Sequence, residues 1–101
     1  MAIAVVMDFE GATLDQYDRL LEPMQLEREG SAPPGCIFHW VTATESGVRV
    51  TDVWQSREQY EAFGKDQIGP FTVEVGFPGP PATAYFDVHN YLTGDPQNLP
   101  D

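Results

Sequence analysis

Residues 36–63, CIFHWVTATESGVRVTDVWQSREQYEAF, read as strand, tight turn, strand and helix. Residues 36–44 and 48–55 are both rich in β-branched and aromatic side chains, which suit a pleated, half-buried surface. Glu45-Ser46-Gly47 separates them, and Gly47 can take the positive φ that a tight hairpin needs. The period then changes. Ser56 with Gln59 three positions on matches a capping box, so a helix is predicted from about Arg57. Tyr60 and Phe63 recur at helical spacing and should face a core.

Register decides which side chains share a face of the hairpin. With Ser46-Gly47 as the two turn residues, Glu45 pairs with Val48. His39 then lies opposite Trp54, and Val41 opposite Asp52. One face carries His39, Val41, Val48, Val50, Asp52 and Trp54. A three-residue loop with a bulge at Gly47 would pair Thr44 with Val48 and turn Trp54 to the other face, beside Phe38 and Trp40, because a slip of one residue flips every side chain. The two-residue turn is preferred. It gathers Val48, Val50 and Trp54 on an apolar face and leaves Arg49, Thr51 and Gln55 opposite.

Outward from the hairpin, residues 2–9 form a first strand with apolar side chains on both faces, as in a central strand. Thr13 and Gln16 repeat the capping-box pattern, and Asp15 suits the first helical turn. Leu14, Tyr17, Leu20, Leu21 and Met24 mark one helical face, so a helix is predicted over about 13–22, with a turn or two beyond despite Pro23. Residues 28–35 are a loop. The second helix reaches about Gln67, and Gly69-Pro70 is read as a break. Residues 71–75 have strand propensity, but Pro70 before them and Gly76 after them fit a short helix. FPGPP at 77–81 is a stiff connector. Residues 82–92 read as the last strand, with Ala84, Phe86 and Val88 on one face and Tyr85, Asp87, His89 and Tyr91 on the other.

The chain has 101 residues, so one domain is expected over 1–92, followed by an acidic, Pro-containing tail over 93–101 that is expected to be mobile unless Leu99 docks. The net charge of −11, from 16 acidic and 5 basic residues, argues against nucleic acid and anionic membrane as partners. A single cysteine, Cys36, excludes an internal disulfide and reads as a buried or half-buried small hydrophobe. No apolar run approaches a membrane span, and the start lacks the basic segment of a signal peptide, so a cytoplasmic location is expected.

The order β-α-β-β-α-β with right-handed crossovers predicts an α+β, ferredoxin-like fold: a four-stranded antiparallel sheet in the order 4-1-3-2 with helices on one face. The uncovered face would carry apolar and aromatic groups. A homodimer joined sheet to sheet is therefore expected, with Trp40 at its interface.

Candidate chemistry gathers on the hairpin. A free imidazole titrates near working pH, so His39 could act as general acid or base, or be a hydrogen-bonded strand histidine. Asp52 could orient or charge it, or sit at a solvated margin. Trp54 could stack on a planar substrate or fill space under the second helix. Tyr17, Tyr60 and Phe63, on the core-facing sides of the helices, are candidate ligand contacts. The Tyr85–Tyr91 set could line a pocket or an interface. Two histidines and one cysteine show no metal-ligand spacing, so no metal is expected. No phosphate-cradling loop, dinucleotide fingerprint or serine nucleophile elbow is present.

The pattern Gly35, Phe38-His39, Val50, Val53-Trp54, Ser56, Phe63 and Pro70 resembles small proteins of the dimeric α/β-barrel superfamily, which includes antibiotic-biosynthesis-monooxygenase domains. The resemblance covers roughly residues 2–92. It implies a homodimer whose sheets form a barrel, with a pocket between sheet and helices in each subunit. Its members include cofactor-independent quinone-forming monooxygenases, polyketide cyclases, lactone isomerases and haem-degrading enzymes. The last group carries a histidine on the second helix, and residues 57–67 contain none. The resemblance thus points to a monooxygenase, cyclase or isomerase without cofactor, acting on an aromatic or polyketide-like molecule; it matches no known catalytic set of those enzymes, and His39 and Asp52 are the catalytic candidates on the reading of the hairpin alone. The alternative is a non-catalytic dimeric module for a small apolar ligand.

Overall fold

The predicted βαββαβ order is present in the computed structural model, which describes residues 1–100. β1 (Ile3–Glu10) leads into α1 (Leu14–Met24), the hairpin β2 (Cys36–Ala43) and β3 (Gly47–Trp54), α2 (Arg57–Phe63), a π-helical turn (Gly64–Ile68), α3 (Gly69–Glu74) and β4 (Ala82–Asp87). The strands form one antiparallel sheet in the order β2-β3-β1-β4, the predicted 4-1-3-2 read from the other edge. The helices cover one face. Under them lie alternate residues of the central strands, Ile3, Val5, Met7 and Phe9 from β1 and Val48, Val50 and Trp54 from β3, packed with Tyr17, Leu20 and Met24 of α1 and Tyr60 of α2.

The hairpin pairing departs from expectation by two residues. Glu45 and Ser46 form the apex, Thr44 donates its N–H to the Gly47 carbonyl, and Val48 pairs with Ala43. A shift of two preserves the faces, so the predicted face is the one under the helices, but the partners change. His39 stands directly opposite Asp52, and Val41 opposite Val50. Gly47 has no positive φ; its role is close approach, since a Cβ there would lie 2.1 Å from the Phe9 carbonyl oxygen. A bulge between Cys36 and Phe38 then returns Cys36 to a position opposite Trp54.

Both predicted caps are in place. Thr13 accepts from the Gln16 N–H while the Gln16 side chain accepts from the Thr13 N–H, and Ser56 accepts from the Gln59 N–H. Thr13→Ala and Ser56→Ala should each cost about 1 kcal/mol in urea unfolding, because a helix N–H loses its partner. An unchanged midpoint for Ser56→Ala would contradict that role.

α1 runs a little beyond residue 22, as expected, with Pro23 inside its last turn and Gln25, in the left-handed region, closing it. One helix reading needs correction. Gly69-Pro70 does not break the second helical stretch. The chain widens into the π turn, Gly69 donates to the Gly64 carbonyl, and helical backbone resumes as α3. The wider register accommodates Pro70, which has no N–H to give.

β4 ends at Asp87, not Leu92. Val88 still donates to the Ala2 carbonyl, but His89 and Tyr91 lie outside the sheet. Tyr85 faces the helices, against Tyr60 and beneath Arg57. In the predicted tail, residues 93–100 hold one 3-10 turn, Pro96–Asn98, and Leu99 is exposed; Asp101 lies outside the described residues. The sheet face without helices exposes Phe38, Trp40 and Phe86, each about half accessible. Among the described residues, no helix is long and apolar enough to cross a membrane.

Candidate active site

The two-residue shift in the hairpin brings the site together. With His39 and Asp52 cross-strand neighbours on the helix side, their side chains meet: His39 Nδ1 lies 2.6 Å from Asp52 Oδ1. Asp52 is the one buried carboxylate among the described residues, 3% exposed. Its other oxygen accepts the indole N–H of Trp54 at 3.0 Å. Trp54 is two residues along the same strand, so strand periodicity alone aims it at the same face. Above them, α1 lays Tyr17 nearly parallel to the imidazole, and the phenol oxygen lies 2.6 Å from His39 Nε2. The result is a continuous chain of hydrogen bonds, Trp54–Asp52–His39–Tyr17, rooted in the core and rising towards α1.

Its upper end borders a cavity of about 610 Å³ between α1, the sheet and the loop after α1. Tyr17 and His39 line it, with Leu20, Met24, Val41 and Phe63 among the apolar walls. The His39 side chain keeps 32% of its surface accessible, whereas that of Asp52 keeps 4%. A wider depression of about 740 Å³ at the hairpin end of the sheet, between Asp8, Arg49 and Pro78, contains neither histidine.

Of the residues expected to contact a ligand, Tyr17 and Phe63 line the cavity. Trp54 and Tyr60 do not. Trp54 is 1% exposed and packs edge-on against Tyr60 and obliquely against Phe63, so its ring is closed to any stacking partner. Its contribution is the N–H that holds Asp52. Tyr60 is buried between Trp54 and Tyr85. The loop over residues 26–33 also lines the cavity. No periodicity marks it, and it enters only because the chain folds back beside β2. Cys36 lines the wall as well, its thiol donating weakly to the Phe38 carbonyl.

The electrostatics keep these groups neutral. Burial, and next the charge of Asp52, push the Tyr17 phenol up to about 12. The Cys36 thiol is also pushed to about 12, first by burial and then by Asp52, so it is no thiolate nucleophile near neutral pH. Burial, with smaller effects from Tyr85 and Asp52, raises Tyr60 to about 12. All three are raised above their ordinary values of 9 for the thiol and 10 for the phenols, so the fold disfavours their charged forms. Stability from this source is intact below about pH 9 and is lost as pH rises towards about 12. The urea midpoint should hold between about pH 7 and pH 8.5 and fall clearly by about pH 11. A flat profile across that range would contradict the burial of these groups. Among the described residues, no three His, Cys, Asp or Glu side chains converge so as to hold a metal ion.

No family model and no curated protein matches the sequence. Solved structures do share its fold. Rv0793 from Mycobacterium tuberculosis superposes with a TM-score of 0.60 at 16% identity, over 92% of this chain and all of the other. A monooxygenase from the gene ActVA-Orf6 of Streptomyces coelicolor, solved with the ligand nanaomycin D, gives 0.56 at 20% identity over 93% and 92%. A protein from Chloroflexus aurantiacus named for antibiotic biosynthesis monooxygenases gives 0.59 at 20% identity over 93% and 100%. The four-stranded antiparallel sheet with helices on one face is thus the fold of the antibiotic-biosynthesis-monooxygenase-like proteins, as the resemblance in residues 35–70 implied.

Proposed function

We propose that this protein is a cofactor-independent enzyme that removes a proton from a small planar aromatic or polyketide-like substrate, with oxygenation of the resulting anion as the reaction. The observation that carries this reading is the bond between buried Asp52 and the partly exposed His39 at the wall of a mainly apolar cavity. A buried carboxylate that fixes the far nitrogen of an imidazole orients the ring as a base and stabilises the imidazolium that forms. His39 is the catalytic base. Asp52 positions it, and Phe63 helps wall the substrate.

In the oxygenation, an activated methylene gives up one proton, which reaches His39 through the Tyr17 hydroxyl bonded to its Nε2. The carbanion adds dioxygen, the oxidant, to form a peroxide anion on that carbon, which takes the proton back. Breaking the remaining C–H bond and the O–O bond then expels water and leaves a carbonyl. The balance closes: the methylene gives up both hydrogens, one oxygen atom of dioxygen ends in the carbonyl, and the other leaves as water. The fold shared with a monooxygenase supports dioxygen as co-substrate. Reprotonation at another carbon would instead give an isomerase or cyclase.

The protein is also proposed to act as a homodimer. Phe38, Trp40 and Phe86 would otherwise stay in water on the open face of the sheet. Anthrone is a suitable probe: it has an activated methylene, and its phenolic tautomer, which ionises to the same anion, carries a free hydroxyl. With it, oxygen uptake above the buffer rate should match substrate loss one to one, and His39→Ala should lower the rate by about 10² to 10⁴. Sedimentation of the same sample should give twice 11.2 kDa. A rate equal to buffer, with saturable binding retained, would make the protein a binding module rather than an enzyme. A stable monomer would sink the dimer.

A further inference from the structure

The polarity of the hydrogen-bond chain can be followed atom by atom from its buried end. An ionised carboxylate only accepts. Asp52 takes the indole N–H of Trp54 on one oxygen, which can run in no other direction, since an indole nitrogen only donates. The other oxygen faces His39 Nδ1, which must therefore carry a proton. In a neutral imidazole the second nitrogen is then bare. His39 Nε2 accepts, and the group 2.6 Å away is the Tyr17 phenol, which must donate. That phenol has a single hydrogen, and His39 takes it. Its oxygen has only lone pairs left to offer.

We propose that the cavity presents Tyr17 to its ligand as a hydrogen-bond acceptor, and so selects aromatic molecules bearing a free hydroxyl over ethers and ketones of the same shape. This deepens the acid–base reading above and rests on it for the fate of the proton. The ligand O–H points at the Tyr17 oxygen. When the ligand ionises, its proton passes to that oxygen as the phenol hydrogen passes to His39 Nε2. Two O–H bonds break, on the ligand and on Tyr17, and one O–H on Tyr17 and one N–H on His39 form: the ligand loses one proton, Tyr17 is unchanged, and His39 becomes an imidazolium held by Asp52. Tyr17 is thereby a catalytic residue in its own right, between base and substrate.

Three further observations agree. The phenol is kept protonated, because burial and Asp52 hold it well above neutral pH. The Tyr17 and His39 rings are nearly parallel, 12° apart, so the relay is set by two rigid elements, α1 and β2. A chain with net charge −11 disfavours a ligand that arrives already ionised, so a neutral hydroxyarene that loses its proton inside suits the protein better.

The test compares three ligands of similar outline by calorimetry at about pH 8: 1-naphthol, 1-methoxynaphthalene and 1-tetralone. The hydroxyl compound should bind at least tenfold more tightly than either of the others. In Tyr17→Phe the acceptor left at that point of the wall is His39 Nε2, set back by the length of the lost bond, and the preference should fall to a fewfold or less. Circular dichroism and the urea midpoint report whether that variant is folded. The wild-type comparison stands without it. Equal affinity for naphthol and its ether, tighter binding of the ketone, no saturable binding of any of the three, or an unchanged preference in folded Tyr17→Phe would each overturn the proposal. Its failure and that of the acid–base reading are separable. Hydroxyl selection without turnover of anthrone removes the enzyme and keeps the acceptor. Turnover that depends on His39 without hydroxyl selection does the reverse.

Discussion

Asp52→Ala should destabilise the protein by about 2 to 4 kcal/mol, because it takes the acceptor from two hydrogen-bond donors at once. Three losses add. The Trp54 indole N–H, on a ring 1% exposed, is left without an acceptor. His39 Nδ1 loses its partner too. A void opens beneath the imidazole. Each buried donor left unpaired costs about 1 to 3 kcal/mol. A domain of this size has a total stability of only about 5 to 15 kcal/mol, so partial unfolding at about 25 °C is within range.

Asp52→Asn separates stability from chemistry. The amide oxygen can still accept from Trp54, so the loss of stability should be nearer about 1 kcal/mol. The amide nitrogen, however, faces His39 Nδ1 and can only donate. The imidazole proton must then move to Nε2, where it donates to Tyr17, and the whole chain reverses. Oxygenation should fall as far as in His39→Ala while the protein remains folded. Urea unfolding of the two variants decides it: if Asp52→Ala costs under about 1 kcal/mol, the carboxylate is not the anchor of the site.

The faces of the sheet were legible in the sequence because period two does not depend on exact pairing. Val48, Val50, Asp52 and Trp54 must share a side whatever the hairpin does. The pairing itself was not legible. Glu45-Ser46-Gly47 admits several loops, and what selects among them is β1, a strand more than thirty residues away, whose end meets the turn where the Gly11 N–H bonds the Ser46 carbonyl. For the same reason the sequence set His39 opposite Trp54 rather than Asp52. Tyr17 stood out as a core-facing helical residue, but its bond to His39 depends on how α1 lies across the sheet, which no local pattern states. The end of β4 was overrun because residues 88–92 keep a strand-like composition past the last pair, Ile3 with Asp87. Trp54 shows the general difficulty. Its type and place suit a stacking platform, and only its burial shows that it serves the carboxylate instead.

Gly47→Ala should cost about 3 kcal/mol, and the reason differs from the one its place beside a turn invites. Its φ is not positive, so an alanine meets no backbone strain of its own. The obstacle is the neighbouring strand. An added Cβ would lie 2.1 Å from the Phe9 carbonyl oxygen and 2.9 Å from the Gly11 nitrogen, both backbone atoms that no rotamer change can move. The end of β1 must retreat. The bond from the Gly11 N–H to the Ser46 carbonyl, 2.7 Å long, and the Gly47–Glu10 pairing then weaken together. Overpacking at such a contact lies at the upper end of the usual range of about 1 to 3 kcal/mol, because the clash is with main chain rather than a side-chain tip. Gly79→Ala is the control. Nothing lies within 4 Å of a Cβ there and its φ is ordinary, so its midpoint should shift by less than about 0.5 kcal/mol in either direction. The damage also reaches the site by a definite route. Gly47 begins β3, and the pairing of Val48 with Phe9 and Ala43 sets the register that brings Asp52 opposite His39. A folded Gly47→Ala protein should therefore show a weakened preference for 1-naphthol over its methyl ether as well as a lower urea midpoint. Should it unfold like the parent and keep that preference, the hairpin register does not depend on the close contact between Gly47 and β1.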